Sequence, residues 1–176
     1  MIETERLILR PYRSADRTPL AAMNADPRVG AWLAGTMSRE ASDALIDRLQ
    51  AHIEANGWGW WAAELRETSE VVGMIGLSPP GMPEVAQGRS VEMGWRLSPS
   101  VWGRGLSTEG ARAALDWALA HLDIDEVFAI TAATNLRSQA VMTAIGLEPR
   151  PDRAFDHPRL PPGDPLRPHV LYARGP

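Results

Sequence analysis

A strand-like run from Val91 to Leu97 is followed closely by Trp102-Gly103-Arg104-Gly105-Leu106-Ser107-Thr108-Glu109, which leads straight into a strongly helical segment. By alternation, Val91, Met93, Trp95 and Leu97 fall on one face of the strand, and Glu92 and Gly94 on the other. Two glycines let the following backbone approach a ligand with no Cβ in the way. The first amides of a helix lack internal partners, and the helix dipole favours negative charge there. Strand, glycine turn and helix start therefore predict an anion site, with a phosphorylated ligand as the natural occupant. The plain alternative is a tight turn that binds nothing. No Gly-Lys-Ser or Gly-Lys-Thr follows, so this is not a P-loop. The dinucleotide fingerprint would also need a third glycine in register and a parallel sheet throughout.

The flanking segments supply a scaffold. Leu7 to Arg10 reads as a short strand. Ser14 to Met23 reads as a short helix with Ser14 as N-cap and Asp16 in its first turn, broken by Asn24-Ala25-Asp26-Pro27. Ser38 opens a longer helix with Leu45, Leu49 and Ile53 on one stripe, and Asn56-Gly57 ends it. Trp58 to Arg66 and Val71 to Leu77 read as strands, and Ser78 to Gly88 as a loop rich in proline and glycine. The helix after the glycine turn buries Ala111, Leu115, Ala118 and Leu122. Val127 to Thr131 is a strand, Asn135 to Ile145 a helix stopped by Gly146, and Arg150 to Pro168 a long loop with a possible strand near Ala154. His169 to Ala173 closes the chain as a strand. Short turns between consecutive strands favour antiparallel pairing, and the helix between Leu97 and Val127 allows one parallel crossover. The result is a mixed α/β fold, read as a single domain over residues 1–176.

Composition narrows the function. The 176 residues carry a net charge of −4, which disfavours a nucleic-acid surface. There is no cysteine, which excludes disulfides, thiol nucleophiles and thiolate metal sites. His52, His121, His157 and His169 show no metal-ligand spacing, so no metal is expected. No apolar run is long enough for a membrane span, and Met1-Ile2-Glu3-Thr4-Glu5-Arg6 does not read as a signal peptide, so a cytoplasmic protein is expected. Trp58 and Trp60 share one strand face and Trp61 takes the other; they line an acceptor groove or fill core. Oligomeric state stays open, a homodimer included.

Val91-Glu92-Met93-Gly94-Trp95-Arg96-Leu97, Pro99 and Trp102 to Glu109 together closely resemble the central motif of the GNAT acetyltransferase superfamily. Asn135-Leu136-Arg137-Ser138 with Gly146-Leu147 resembles its second motif. The opening Glu3 to Arg10 and the tail Asp156-His157-Pro158 with His169-Val170-Leu171-Tyr172 are similar to the Rim-type branch, which acetylates ribosomal-protein N-termini. Two places depart from the superfamily pattern: Trp102 fills its first position, as is usual in the Rim-like branch, and Ser107 its last. The second motif also lacks the tyrosine that many members use as an acid.

The resemblance implies a twisted, mostly antiparallel sheet of six to seven strands, about four flanking helices, and a splayed parallel pair at the cofactor site. It implies acetyl-coenzyme A as donor, its pyrophosphate on the amides of Gly103, Arg104, Gly105, Leu106 and Ser107, with the helix start at Thr108 behind them. The pantetheine arm would pair with freed backbone groups near Leu97 and Ser98. Asn135 and Ser138 would face the cofactor arm and thiol; helix capping by Asn135 and an ordinary exposed Ser138 form the alternative. Without cysteine, transfer is expected to be direct, in a ternary complex with an amine acceptor. An α-amine, with a pKa of ~7.7–8.0, needs only a mild base, whereas lysine at ~10.4 needs a stronger one. Glu92 is the expected base and Ser138 the expected acid for the thiolate. Glu109, in the first helical turn, is explained by the helix dipole alone. The acceptor is read as a peptide or protein N-terminal α-amine, with a small amine or a non-catalytic acyl-coenzyme A module as alternatives. The early helices, the Ser78 to Gly88 loop and the tail would build its pocket.

Overall fold

The computed structural model of the chain describes residues 1–33 and 35–175. Strands β1 (Ile2–Glu3) and β2 (Leu7–Arg10) come first, followed by helices α1 (Arg17–Asn24), α2 (Pro27–Gly30) and α3 (Arg39–Asn56). Then come β3 (Trp60–Leu65), β4 (Val71–Ser78), β5 (Ser90–Leu97), α4 (Leu106–His121), β6 (Glu126–Ala132) and α5 (Leu136–Ile145). The chain closes with β7 (Glu148–Pro149), β8 (Phe155–Asp156) and β9 (Pro168–Arg174). All nine strands form one sheet in the order β1-β2-β3-β4-β5-β6-β9-β7, with β8 also on β9. The expected mixed sheet is present, and its size follows from three two-residue strands, β1, β7 and β8. Every pairing is antiparallel except β5 with β6.

Local chemistry explains most element ends. Ser38 caps α3 by accepting from the Ala41 amide, and Gly57 ends it at φ 78°. Ser14 does not cap the first helix. A short 3-10 turn over Ser14–Asp16 precedes α1, and Asp16 reaches back to accept from the Arg13 amide at 2.7 Å. The carboxylate thereby closes the return half of a capping box on the 3-10 turn, and Asp16, the N-cap residue of α1, makes no side-chain cap bond to that helix among the described residues. Asp26 caps the one-turn α2 through the Arg28 amide, so the segment expected only to break a helix also starts another.

The sheet separates two cores. On one face α4 sets Leu106, Ala111, Ala114, Leu115 and Ala118 against Leu7, Leu9, Trp61, Ile75 and Leu77. On the other, Leu20, Met23 and Ile46 from α1 and α3 cover Ala62, Val71 and Met74. A buried ion network joins β2 to β3: Arg10 pairs with Asp16 at 2.7 Å and with Glu64 at 2.6 Å, all three nearly inaccessible. No helix among the described residues is long and apolar enough to cross a membrane.

Candidate active site

The parallel pair β5 and β6 opens early. Ser90, Val91 and Glu92 oppose Glu126, Val127 and Phe128, and no pairing follows. On its other side β5 stays with β4 as far as Leu97, opposite Gly73. Antiparallel pairing alternates which neighbour each residue's backbone faces. The Ser98 amide donates to Val72 O at 2.7 Å, which places the even-numbered residues toward β4. The N–H groups of Trp95 and Leu97 and the Trp95 carbonyl therefore point into the gap beside β6. The Leu97 carbonyl already accepts from the Trp102 indole at 2.8 Å. The freed groups sit at Trp95 and Leu97, while Ser98, one residue further, has its amide engaged and its hydroxyl 3.0 Å from that of Ser100.

The glycine turn lies at the wide end of this gap. Gly103 and Gly105 hold φ of 76° and 75°, the left-handed region that L side chains avoid. A Cβ at Gly103 would meet no protein atom within 4 Å, so the turn's outer side is open to a ligand. Gly105 is the N-cap of α4 and supplies no side chain to cap it. Among the described residues, no acceptor takes the amides of residues 103–108. The buried Leu106 offers only its backbone, Ser107 and Thr108 are half-buried, and Arg104 is exposed. This is the donor cradle that a pyrophosphate fits.

The turn is braced from behind. Glu109 accepts from Thr4 Oγ1 at 2.6 Å, from the Arg6 amide at 2.7 Å and from Arg6 Nε at 2.6 Å. Arg6 Nη1 then donates to the Arg104 carbonyl at 2.8 Å. Burial works upward on the Glu109 carboxyl, but the bonds from Thr4 and Arg6 together outweigh it and hold its pKa below the usual range. Glu109 thus locks the β1–β2 corner to the turn, a role beyond the helix dipole that sequence alone supports.

Glu92 stands where β5 and β6 part, opposite Phe128, and its Oε2 accepts from the Gly81 amide at 2.9 Å. The proline- and glycine-rich loop lies over it. Burial pushes its carboxyl above the ordinary range, against the pull of the Gly81 bond and the Arg159 charge. Asn135 caps α5 by accepting from the Ser138 amide at 3.2 Å and donates to Thr131 Oγ1 at 3.1 Å. Its capping role is therefore real, and its side chain ties the helix start to the free end of β6. Ser138 is half-buried, and its hydroxyl has no hydrogen-bond partner among the described residues. Arg137 lies 5.6 Å over the Trp102 ring, joining the start of α5 to the glycine turn.

A second group lies on the Glu92 face, and of its side chains the sequence singled out only Trp60, read as acceptor groove or core. Trp60 covers Gly94 so closely that a Cβ there would lie 2.5 Å from the indole Cη2. Beyond it, Arg96 donates to Asn24 Oδ1 at 2.8 Å and touches Met37 Sδ at 3.9 Å. The Tyr12 hydroxyl is buried and lacks a partner among the described residues. Period-two alternation from Glu92 was the available signal for Arg96; nothing local pointed to Asn24 or Tyr12.

The family described as "Acetyltransferase (GNAT) domain" matches residues 6–148. An FsC-acetyl coenzyme A-N(2)-transacetylase of Aspergillus fumigatus is 30% identical over 154 residues, 83% of this chain and 64% of that protein, so this chain spans under two thirds of its length. An acetyltransferase structure from Agrobacterium tumefaciens aligns at TM-score 0.78 and 29% identity over 99% of this chain and 94% of its own. Two further structures share the fold at 16% identity. One is a spermidine N-acetyltransferase from Vibrio cholerae in complex with CoA and spermine, with TM-score 0.74 and coverage of 96% and 95%. The other is a ribosomal-protein-S5-alanine acetyltransferase from Vibrio fischeri, with TM-score 0.77 and coverage of 98% and 94%. With a matched span that runs from the Arg6 brace into β7, the chain belongs to the GNAT acetyltransferase family, in which acetyl-coenzyme A is the acetyl donor.

Proposed function

We propose that the acceptor is a peptide or protein N-terminal α-amine and that transfer is direct, within a ternary complex. The observation that carries this reading is the place of Glu92: a half-buried carboxylate, pushed upward by its partial burial, at the point where the two strands separate. An α-amine of pKa ~7.7–8.0 is already partly neutral near pH 7, so a base of this modest strength suffices. The fold likeness to a ribosomal-protein-S5-alanine acetyltransferase supports the same acceptor.

The donor's pyrophosphate rests on the amides of residues 103–107, and its pantetheine arm extends along the free β5 edge at Trp95 and Leu97. The acceptor ammonium gives a proton to Glu92, directly or through a water. The neutral nitrogen attacks the thioester carbon, and an amide of the open β5 edge holds the oxyanion. Collapse breaks the C–S bond; the Ser138 hydroxyl gives its proton to the departing thiolate and is reprotonated, through water, by the proton the nitrogen loses, while Glu92 returns the first proton to solvent. No acyl-enzyme forms. The protein acts in the cytoplasm.

A small amine is the second reading, favoured by the spermine-bound fold neighbour. Calorimetry with acetyl-coenzyme A comes first, using Gly105→Glu as control, followed by an acceptor panel of N-terminal peptides, lysine side-chain peptides and polyamines. The proposal expects binding that the control abolishes and turnover of α-amines. Binding without turnover of any amine would leave a non-catalytic acyl-coenzyme A module.

A further inference from the structure

We infer that Arg96 is the specificity residue of the acceptor site and that it binds a carboxylate, so the acceptor is a primary amine bearing a carboxylate a few bonds from its nitrogen. An amino acid, or a short peptide with an acidic first residue, has that chemistry. The inference rests on the acetyl-transfer reading above and deepens it.

Arg96 shares one β5 face with Glu92 and Gly94. It lies two residues past Gly94, about 7 Å along the strand at the usual rise. Its charged guanidinium is half-buried, yet its partners among the described residues are neutral: the Asn24 amide oxygen and the Met37 sulfur. The other charged side chains of this face are handled differently. Arg10 has two carboxylates, and Glu92 has the Gly81 amide. A half-buried cation without an anion is unfavourable, and a carboxylate satisfies the guanidinium fork bidentately.

The second observation is independent. The Tyr12 hydroxyl oxygen is buried and has no partner among the described residues, although buried polar groups nearly always find one. Burial pushes the Tyr12 hydroxyl upward, and the Arg96 charge pulls against it. A carboxylate between them would accept from both groups at once. Tyr12 is held from behind, its amide donating to Gln50 Oε1 at 2.8 Å, so its hydroxyl is preorganised rather than free to turn to solvent. Asn24 is anchored to Ser42 through a buried bond of 2.9 Å, which fixes the direction of the guanidinium. The same cation disfavours acceptors with several positive charges, so the arrangement discriminates against polyamines.

The test compares acceptors that differ only in the carboxylate, an amino acid against its amide and an acidic-first dipeptide against its glutamine- or asparagine-first counterpart, and adds spermidine as a polycationic acceptor. With wild-type protein, kcat/KM is expected to favour the carboxylate form by about tenfold to a hundredfold, the range of one charged hydrogen-bonded contact. Arg96→Gln is expected to bring that form down to the level of its amide, with acetyl-coenzyme A affinity retained. The amino-acid and dipeptide arms distinguish which molecule carries the carboxylate. Should Arg96→Gln fail to fold, calorimetry on the wild type with coenzyme A bound decides, the acid expected to bind more tightly than the amide. Equal use of acid and amide, a preference for spermidine, or a ratio unchanged by Arg96→Gln would overturn the inference. If acetyl-coenzyme A binds but no amine at all is turned over, the transfer reading itself fails.

Discussion

At the scale of single residues, Glu92 and the two turn glycines carry the most consequence. Glu92 is half-buried, and that partial burial raises its pKa. A raised carboxyl binds its proton more tightly in the folded state than in the unfolded chain. Its contribution to stability is therefore most favourable at low pH and is lost as pH rises through the folded value. Glu92→Gln is thus expected to raise Tm at neutral pH, since the glutamine carbonyl keeps the Gly81 bond without a half-buried charge. The same change is expected to lower kcat by roughly 10²–10⁴-fold and to remove the acid limb of the pH–rate profile. A mutant with wild-type rate and profile refutes the base role. At Gly103 a Cβ has room, so Gly103→Ala is expected to cost only the strain of φ 76°, about 1–2 kcal/mol, yet to weaken acetyl-coenzyme A binding measurably. Glu92, Ser107 and the glycines were legible because alternation and backbone sterics act locally. The cover from Gly81 was not, because the loop's proline and glycine content says only that it bends.

At the scale of elements, the half-paired β5 is the working part. Its first residues bond to β6 and its last keep an open edge, so one strand both closes the sheet and offers donors to a ligand. Hydrogen exchange provides a direct check. The amides of Trp95, Leu97 and residues 106–108 are expected to exchange fast in the free protein and to slow when acetyl-coenzyme A binds, while even-numbered β5 amides stay protected throughout. Uniform protection of β5 without ligand refutes the open edge. The Glu109 brace predicts a second effect. Glu109→Gln breaks the ion pair with Arg6, and acetyl-coenzyme A affinity is expected to fall several-fold by calorimetry, with little change in acceptor KM. Helices α3 and α4 were legible from their stripes and their glycines. The strands β7 and β8, two residues each, are too short to show any period, and only β9, far along the chain, makes them strands.

At the scale of the whole molecule, the two cores would divide the labour under the proposed reading: α4 and its core support the glycine turn proposed to hold the donor, while α1, α3 and the opposite face hold Arg96 and Asn24, proposed for the acceptor, with Tyr12. Sequence made the donor side legible because it lies in one continuous stretch. It hid the acceptor side because Arg96 meets Asn24 across 72 residues, and a lone arginine in a strand reads as surface. The buried Arg10, Asp16 and Glu64 network was hidden for the same reason, and it connects stability to the acceptor side. Asp16 holds Arg10 and also accepts from the Arg13 amide, so it fixes the short segment that presents Tyr12. Removing its charge leaves Arg10 incompletely paired in a dry place, a change that typically destabilises by about 3–5 kcal/mol. Asp16→Asn is therefore expected to lower the urea midpoint with little change in slope. Below that midpoint it should raise the acceptor KM while acetyl-coenzyme A Kd stays near wild type, because the glycine turn is braced separately by Arg6 and Glu109. A proportional loss of both affinities would instead mean that the two faces share one rigid support, and the division between donor and acceptor sides would have to be abandoned.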